Sequence, residues 1–313
     1  MRPRGEGGAI DHTMGGKSPD FTVVTVIHDS ARELQGLLAS LDARLPRRPR
    51  TVVVDTGSTD GGADLARDYG AEVIELPGNP GFGAASNAGV AATDTPVTAL
   101  LNPDVELLDA GLLHLVAGAG ERDALLAPRL LNPDGSIQRS AHPLPGRIGA
   151  LLPSLVHPLL LPPGLRDRAE PYRADAPRTV GWAIGAALVA RTGTLRRLGP
   201  FDPSAFMFYE DLDLCLRARA AGVPTELHPA VRLRHAGAHS TAPAFGGEPH
   251  DVLARRRREV VGARLGPRAL AADDAAQAIA FATRIAARRA LRRDAARETA
   301  QLTALLRARR AGA

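Results

Sequence analysis

The sequence predicts an α/β fold built on a doubly wound, mainly parallel sheet, with a helical extension at its C-terminal end. Short runs rich in Val, Ile and Thr alternate with segments whose apolar residues recur at helical spacing. Strands and helices that alternate in this way form a parallel sheet with helices on both faces. Two runs lead directly to acidic residues, Asp55 and Asp104, and ligands bind such sheets at the carboxyl ends of the strands. The sequence therefore predicts a binding site at that edge.

The alternation is clearest in the first hundred residues. The first predicted strand covers residues 21–27, and the helix after it covers 31–41, with Leu34, Leu37, Leu38 and Leu41 on one face. Further strands are expected at 51–55, 71–76 and 96–101, and further helices at 63–69 and 85–92.

The later chain is less regular. Asn132-Pro-Asp-Gly135 is typical of a turn between short strands. Residues 141–178 mix Pro, Leu and Arg without a clear period and are expected to form a loop, whereas residues 252–310 have helical character. We therefore divide the chain into a disordered leader at 1–19, a main domain at 20–241 and a basic helical extension at 242–313.

Composition limits the class of protein. With 313 residues, of which 44% are hydrophobic and 23% charged, the chain can bury a full core. The single cysteine, Cys215, excludes a disulfide framework and a thiolate metal cluster, and it favours a reducing compartment. Residues 1–19 contain no apolar run of the signal-peptide type. Residues 151–161 are apolar but too short to span a bilayer, and prolines interrupt them.

Positive charge is concentrated in the last quarter of the chain. From Asp251 onward there are 15 arginines and six acidic residues, so this part carries +9 and the rest carries −4. Two interpretations stay open: attraction to anionic lipid headgroups, or a solvated set of helices packed on the main domain.

A run of aromatic residues leads into an acidic helix start in Phe206-Met-Phe-Tyr-Glu-Asp-Leu-Asp-Leu-Cys-Leu-Arg217. Acidic residues are ordinary at helix starts, where they face the positive end of the helix dipole. The aromatic wall partly dehydrates the carboxylates, however, and a dehydrated carboxylate is a better base. Glu210 and Asp211 are therefore candidate catalytic residues, whereas Asp213 is placed to pair with Arg217 four residues on.

Two motifs look like motifs of other classes of protein, but neither matches its class fully. Val-Val-Val-Asp55-Thr-Gly-Ser58 has the form of an aspartic protease half-site, but the chain has no second Asp-Thr/Ser-Gly to complete the pair. Gly81-Phe-Gly83 has the form of a dinucleotide fingerprint, but it follows the third predicted strand rather than the first and is separated from it by a Pro-containing loop.

Five motifs in order resemble family 2 inverting glycosyltransferases of the GT-A type. They are the Asp55 to Asp60 segment, Asn79-Pro-Gly-Phe-Gly83 with Asn87 and Gly89, Leu100-Leu-Asn-Pro-Asp104, Gly181-Trp182 with Gly185, and the segment from 206 to 217. Within that family the chain looks most like actinobacterial rhamnosyltransferases that use dTDP-L-rhamnose and a GlcNAc-diphosphoryl polyprenol. The run after Val180, the Tyr-Glu-Asp-Leu-Asp-Leu segment and the run from His235 to Thr241 carry this narrower resemblance.

The resemblance implies a donor site at the strand ends. It assigns Asp55 to the imide N–H of the donor's pyrimidine, although an Asx-type turn is the alternative role for this carboxylate. It places Ser58, Asp60, Gly81, Gly83, Asn87 and Asn102 around the same donor, while a plain tight turn remains the alternative for each glycine. His28 stands where a tyrosine is expected, so base stacking or donor choice is expected to differ.

The resemblance also implies a divalent metal. Asn102-Pro-Asp104 occupies the position of the family's Asp-x-Asp motif, so Asp104 is expected to hold Mg²⁺ or Mn²⁺ against the donor diphosphate. His235 is the candidate second ligand and His239 a weaker one. The alternative for His235 is a histidine simply hydrogen-bonded near the rim of the sheet.

On the acceptor side the resemblance makes Asp211 the general base, with Glu210 as the alternative base or an orienting neighbour. Trp182 and Tyr209 are expected to contact an acceptor sugar, although the single tryptophan is equally expected in a core. Residues 141–178 are expected to form an acceptor-side loop.

The implied activity is metal-assisted, inverting transfer of a sugar, rhamnose by resemblance, to a hydroxyl of a lipid-linked or cell-envelope saccharide. A UDP- or GDP-sugar donor is the alternative. The implied location is cytoplasmic, with peripheral contact to the inner face of the plasma membrane through the basic extension. A nucleic-acid-binding role for that extension is disfavoured, because only 4% of residues are aromatic and no standard binding module is present.

Overall fold

The computed structural model describes residues 20–155, 160–203, 207–237 and 248–311, without the side chains of 148 and 153–155. The predicted leader, Phe206, His239 and the predicted boundary at residue 242 lie outside the described residues.

Eleven strands are described: β1 (Phe21–Ile27), β2 (Arg50–Asp55), β3 (Glu72–Glu75), β4 (Val97–Leu101), β5 (Val105–Leu107), β6 (Leu125–Leu131), β7 (Ala141–His142), β8 (Arg178–Val180), β9 (Trp182–Ala183), β10 (Ala187–Arg191) and β11 (Thr225–His235). The α-helices are α1 (Ala31–Arg44), α2 (Gly62–Tyr69), α3 (Phe82–Ala92), α4 (Leu112–Glu121), α5 (Ile148–Leu155), α6 (Pro163–Ala169), α7 (Thr192–Leu198), α8 (Glu210–Ala220), α9 (His250–Leu265), α10 (Pro267–Ala290) and α11 (Ala296–Ala311).

The main sheet has the strand order β3-β2-β1-β4-β10-β6-β11-β5, and β8 pairs with β11. The first four strands in this order are parallel, as the alternation of strands and helices predicts. Strand β10 joins β4 and β6 in antiparallel pairs, and β11 runs parallel to β6. The predicted mixed α/β fold is therefore confirmed, with the antiparallel pairs concentrated on one side of the sheet.

Apolar cores cover both faces of the sheet. Every residue of β1 except Val26 is buried, because its alternate side chains point to opposite faces and both are covered. One core includes Leu34, Leu37 and Leu41 of α1. The other core lies on the opposite face and joins α3, α8 and α9, with Val261 of α9 completely buried in it.

Two details of the predicted elements are wrong. Residues 141–178 are not simply a loop, because they contain β7, α5, α6 and a short 3₁₀ helix at Pro171–Arg173. These elements are too short, and too often begun by proline, to show a helical period. Helix α3 begins at Phe82 rather than at residue 85, since Gly81 has a φ of 93° and precedes the first helical turn.

The C-terminal extension is helical, as predicted, and its helices pack on the main domain. Helix α9 contacts α8, and α10 contacts α5. Helix α11 packs against both α9 and α10. None of the helices within the described residues is long and apolar enough to cross a membrane.

Candidate active site

Asp55 lies where the sequence predicts, at the carboxyl end of β2 and opposite Ile27 of β1. Its carboxylate is 5% exposed and accepts hydrogen bonds from the Ser58 backbone N–H at 3.0 Å and the Ser58 hydroxyl at 2.5 Å. This is the geometry of an Asx-type turn. The same turn lines an open cavity of about 730 Å³ that also reaches Leu76 and Gly78. Asp55 and Ser58, two of the residues predicted to bind the donor, are part of the wall of this cavity.

Side chains join the loops after β1 and β2. Asp60 accepts the backbone N–H of Ala31, the first residue of α1, at 2.7 Å and that of Gly62 at 3.1 Å. Asp29 accepts the backbone N–H of Thr59 at 2.7 Å, which is the main reason why the pKa of Asp29 lies below its ordinary value. These bonds hold the rim of the cavity in one arrangement and give Asp60 a structural task beside its predicted contact with the donor.

His28, where a tyrosine is expected, lies in the same pair of loops. Its Nδ1 is 3.1 Å from the backbone carbonyl oxygen of Thr56. The ring is therefore held by the β2–α2 loop, directly after Asp55, the residue predicted to bind the donor's pyrimidine. An imidazole thus stands where the phenol ring of a tyrosine is expected.

Gly83 and Asn87 are anchored to the segment after α7. A Cβ on Gly83 would lie 3.0 Å from the Cβ of Phe201, so a larger residue here would push this segment away. The Asn87 amide accepts the Phe201 N–H at 2.9 Å and donates to the Phe201 carbonyl at 2.9 Å. Both residues thus join α3 to the segment after α7, and their predicted contact with the donor stays a prediction.

Asp104 and His235 come together from distant parts of the chain. His235 ends β11, which pairs with β5 directly after Asp104. The His235 Nε2 is 3.3 Å from an Asp104 carboxylate oxygen, and the other oxygen of Asp104 accepts the Gly237 N–H at 2.8 Å. Burial alone would raise the pKa of Asp104, but the hydrogen bonds and the charge of His235 outweigh it and hold the pKa below its ordinary value.

The hydrogen-bond network fixes the orientation of the His235 ring. Gln138 donates through Nε2 to Asn132 at 3.1 Å, so its carbonyl oxygen faces His235 Nδ1 at 2.8 Å. The proton of a neutral His235 therefore lies on Nδ1, and the Nε2 lone pair faces the Asp104 carboxylate. Two facing lone pairs are stabilised only by a cation or a proton between them.

The Asp104–His235 pair fits a divalent cation that takes most of its remaining ligands from a bound phosphate group. The described residues contain no group of three or more His, Cys, Asp or Glu side chains that could hold a metal, so protein atoms alone give an incomplete shell. Mg²⁺ in nucleotide sites is commonly bound by one or two carboxylates and by phosphate oxygens. The Asn102 side-chain oxygen is buried and has no hydrogen-bond partner among the described residues, which leaves a further oxygen beside this segment.

Glu210 and Asp211 open α8, at the positive end of its dipole. Asp211 accepts the Gly185 N–H at 2.9 Å through one oxygen and the Leu212 N–H at 2.7 Å through the other. Burial raises the pKa of Asp211 to about 6, and these two hydrogen bonds limit the rise. Burial and the charge of Asp211 raise the pKa of Glu210 further, to about 8. Burial and mutual repulsion therefore oppose two charges on this pair near neutral pH, and the two backbone N–H groups favour the charge on Asp211.

Two residues with strained backbone conformations directly precede α8. Phe208 and Tyr209 have φ values of 75° and 62°, which are unusual for aromatic residues. Trp182 is 6% exposed, stacks on His142 with ring centroids 4.2 Å apart, and lies 6.2 Å from the Tyr209 ring. Trp182 is thus largely a core residue that borders the site, and Tyr209 lies between it and the carboxylates.

Several residues of the site were not predicted from the sequence. They are Gln138, which orients His235, the Gly185 N–H, which binds Asp211, and His142 and Arg257, which lie beside Trp182 and Tyr209. Each acts across at least 26 residues of sequence, so no local pattern marks it.

Comparison with known proteins identifies the family and the fold of the chain. The family model for Glycosyl transferase family 2 matches residues 22–160. A curated relative, the N-acetylglucosaminyl-diphospho-decaprenol L-rhamnosyltransferase of Mycobacterium tuberculosis, is 31% identical over 258 residues, which cover 75% of this chain and 81% of the relative.

Solved structures share the fold at low sequence identity. The mannosyltransferase PcManGT from Pyrobaculum calidifontis, solved with GDP-Man and Mn²⁺, has a TM-score of 0.58 at 15% identity over 93% of this chain and 86% of its own. GalNAc-T7, solved with UDP, GalNAc and Mn²⁺, has a TM-score of 0.57 at 18% identity over 78% of this chain and 48% of its own. The chain therefore has the GT-A fold and is a glycosyltransferase that belongs to family 2.

Proposed function

We propose that this glycosyltransferase moves L-rhamnose from dTDP-L-rhamnose, with inversion, to a hydroxyl of a saccharide carried on a lipid diphosphate. The pair of carboxylates at the start of α8 is the observation that carries the transfer mechanism. Burial raises both pKa values, and the backbone N–H groups that bind Asp211, with the charge of Asp211 itself, set them apart. The choice of sugar and acceptor rests on the relative from Mycobacterium tuberculosis, whose name states a rhamnosyl transfer to GlcNAc-diphospho-decaprenol.

In this mechanism Asp211 is the general base. A pKa of about 6 leaves the carboxylate ionised at neutral pH and still basic enough to accept a hydroxyl proton. The Gly185 and Leu212 N–H groups hold its two oxygens in place, so the base is oriented before the acceptor arrives. The acceptor oxygen then attacks the anomeric carbon from the face opposite the nucleotide, which inverts that carbon.

Glu210 has a different task in the proposal. Because its pKa is raised to about 8, it is protonated near neutral pH and can donate a hydrogen bond to the acceptor rather than take its proton. One oxygen of Glu210 is buried and has no hydrogen-bond partner among the described residues, so no other protein group there satisfies it.

Asp104 and His235 are the residues that would hold Mg²⁺ or Mn²⁺ at the donor diphosphate. The cation supplies positive charge that neutralises the leaving nucleotide diphosphate. Asp55 and the rim formed by Ser58 and Asp60 bind the donor's pyrimidine in this proposal, and the glycines at 81 and 83 let the chain approach it. Because the acceptor is a lipid, the proposal places the protein at the inner face of the cytoplasmic membrane.

The donor is tested by the thermal stability of the purified protein with dTDP, UDP or GDP, each with Mn²⁺ or with a chelator. Ligand at about one hundred times its dissociation constant stabilises a protein by about 2.7 kcal/mol. We expect the largest shift with dTDP and Mn²⁺, and loss of the Mn²⁺-dependent part in Asp104→Asn. A larger shift with UDP or GDP would replace the proposed donor, and no shift with any of the three would contradict a nucleotide site.

A further inference from the structure

A second cavity, of about 290 Å³, lies between α10 and the segment that contains β7 and β9. Helix α10 contributes Phe281 and Arg284 to its wall, and Arg139, His142 and Trp182 line the opposite side. The cavity is therefore formed only when the C-terminal helices pack on the main domain. No residue proposed for the donor site lines it.

Positive charge in this cavity exceeds negative charge. Three arginines line it, at positions 139, 257 and 284, and Asp273 is the carboxylate among its lining residues. Asp273 is already occupied, because both of its oxygens accept hydrogen bonds from Arg257 at 2.8 Å. Within the described residues, no carboxylate lies within 4.0 Å of Arg284.

The carboxylate closest to Arg139 is also largely committed. Glu170 lies 3.9 Å from Arg139, but it binds Arg173 at 3.2 Å and the Tyr172 hydroxyl at 2.5 Å. The unbalanced charge has a visible effect on its neighbours. Burial and then the charge of Arg139 lower the pKa of Arg284, and the charge of Glu298 offsets this only in part. Burial followed by the charges of Arg257 and Arg139 lowers the pKa of His142 to about 3. An anion in this cavity would offset that repulsion.

The cavity adjoins the proposed base. Trp182 and Arg257 line it, and both face the ring of Tyr209, at 6.2 Å and 5.7 Å. Tyr209 directly precedes Glu210 and Asp211 at the start of α8. A sugar attached to an anion in the cavity would therefore lie close to Tyr209, the residue directly before the carboxylate pair.

An apolar element borders the same cavity. Ala150 of α5 lines it, and the sequence of α5 is Ile-Gly-Ala-Leu-Leu-Pro-Ser-Leu, without a charged residue. The neighbourhood thus offers cationic side chains on one side and apolar chain on another, which matches an amphiphile with an anionic head.

We propose that this cavity binds the diphosphate of a lipid-diphosphate-linked acceptor, with Arg139 and Arg284 as the residues that contact its phosphate oxygens. Arg257 forms the wall between the diphosphate and Tyr209, and α5 lies on the side of the lipid chain. The identification of this ligand as the acceptor rests on the proposed function, whereas the binding of a lipid diphosphate does not.

Binding is tested with farnesyl diphosphate in the presence of a chelator, which removes the metal that would carry a diphosphate to the donor site. Isothermal titration calorimetry on the full chain compares the wild type with Arg284→Gln and Arg139→Gln. The matched control is Arg292→Gln, an arginine beyond the end of α10 that is outside this cavity and has no carboxylate within 4.0 Å in the described part of the chain. We expect both cavity variants to bind at least about tenfold more weakly and the control to match the wild type, since a lost charge-assisted hydrogen bond has an effect of that size.

Inorganic pyrophosphate is the second probe. We expect it to bind more weakly than farnesyl diphosphate, because it lacks the apolar chain. Equal affinity for the two probes would overturn the assignment to a lipid-linked ligand, and unchanged farnesyl diphosphate affinity in both cavity variants would overturn the site itself. Circular dichroism and the thermal midpoint show whether each variant is folded, and the two independent cavity variants guard against the failure of one.

Kinetics then separate this inference from the proposed function. With GlcNAc-diphosphoryl farnesol as acceptor we expect Arg284→Gln to raise the acceptor KM about tenfold, with the donor KM and the dTDP-dependent thermal shift unchanged. With octyl β-GlcNAc, which has no diphosphate, the variant and the wild type should have the same KM. An equal rise with both acceptors would contradict a diphosphate contact. Absence of transfer by the wild type would contradict the proposed function and leave the calorimetry to decide the site.

Discussion

Glu210 and Asp211 show how hydrogen bonding gives two adjacent buried carboxyl groups different properties. Asp211 is stabilised as a carboxylate by two backbone N–H groups, whereas one oxygen of Glu210 has no hydrogen-bond partner in the described structure. The charge on Asp211 then opposes ionisation of Glu210. The sequence predicts both residues as candidates, but it does not separate them, because the separation depends on Gly185, which lies 26 positions away.

Glu210→Gln tests the raised pKa of Glu210 through stability. The pKa of this group rises from its ordinary value of 4.5 to about 8, so the protonated form favours the folded state. Glutamine does not titrate. Relative to the variant, the wild type therefore loses free energy of unfolding as the pH rises from about 4.5 to about 8, by up to about 1.4 kcal/mol for each pH increment of one across that range.

We expect the variant and the wild type to have similar stability near pH 5, and the variant to be more stable by a few kcal/mol near pH 9. Urea unfolding at the two pH values measures the difference, and titrating groups that do not interact with Glu210 cancel because both proteins contain them. A difference that is the same at both pH values would contradict a buried Glu210 with a raised pKa.

At the scale of elements, α8 is fixed by one buried carboxylate, Asp213. It accepts Arg217 Nε at 2.7 Å, as the sequence predicts, and also Arg264 Nε of α9 at 2.6 Å. Arg217 in turn donates to backbone carbonyls of the segment after α7, among them Pro200 at 2.8 Å. The helix that carries Asp211 is thus tied both to the main domain and to the C-terminal extension.

Asp213→Asn should destabilise the protein by about 3–5 kcal/mol, because it leaves two arginines without their buried counter-charge. The matched control is Asp64→Asn, which breaks an exposed pair with Arg67 in which Asp64 is 84% exposed. Exposed pairs of this kind contribute about 0–1 kcal/mol. Urea unfolding at neutral pH measures both variants, and an equal small effect for the two would show that Asp213 does not fix α8.

Elements with a long and regular pattern are the ones that the sequence predicts. Strands β1, β2 and β4 and helices α1 and α2 follow directly from runs of β-branched residues and from the leucine spacing of α1. Helices α5 and α6 were missed, because seven or eight residues interrupted or begun by a proline are too few to show a period. The pairing of Asp213 with Arg217 was predictable because it is local, whereas its pairing with Arg264 was not.

At the scale of the whole molecule, most arginines of the C-terminal extension lie within 4.0 Å of a carboxylate, and some of them share one. Arg257 pairs with Asp273 and Arg258 with Asp274, both between α9 and α10. The structure therefore agrees with helices that pack on the main domain. Leu291, directly after α10, is 66% exposed, and attraction of the basic extension to anionic lipid stays a prediction.

The positive cavity beside α10 depends on tertiary contacts that a count of charges along the sequence does not show. The sequence shows a large excess of arginine but not which arginines find carboxylates after folding. Arg284 is distinguished only by the tertiary structure, which places it near Arg139, 145 residues earlier, and leaves it without a carboxylate within 4.0 Å among the described residues. Its proposed role follows from the packing of the whole chain.

The most direct test of the account is transfer of labelled rhamnose from dTDP-L-rhamnose to GlcNAc-diphosphoryl farnesol by the wild type and by Asp211→Asn, with Mn²⁺ present. We expect the wild type to form product with inverted configuration at the anomeric carbon. The variant should lose turnover by several orders of magnitude and keep the dTDP-dependent thermal shift. Substantial transfer by Asp211→Asn would contradict the role of Asp211 as the base. A wild type that transfers sugar from UDP or GDP donors but not from dTDP-L-rhamnose would contradict the proposed donor.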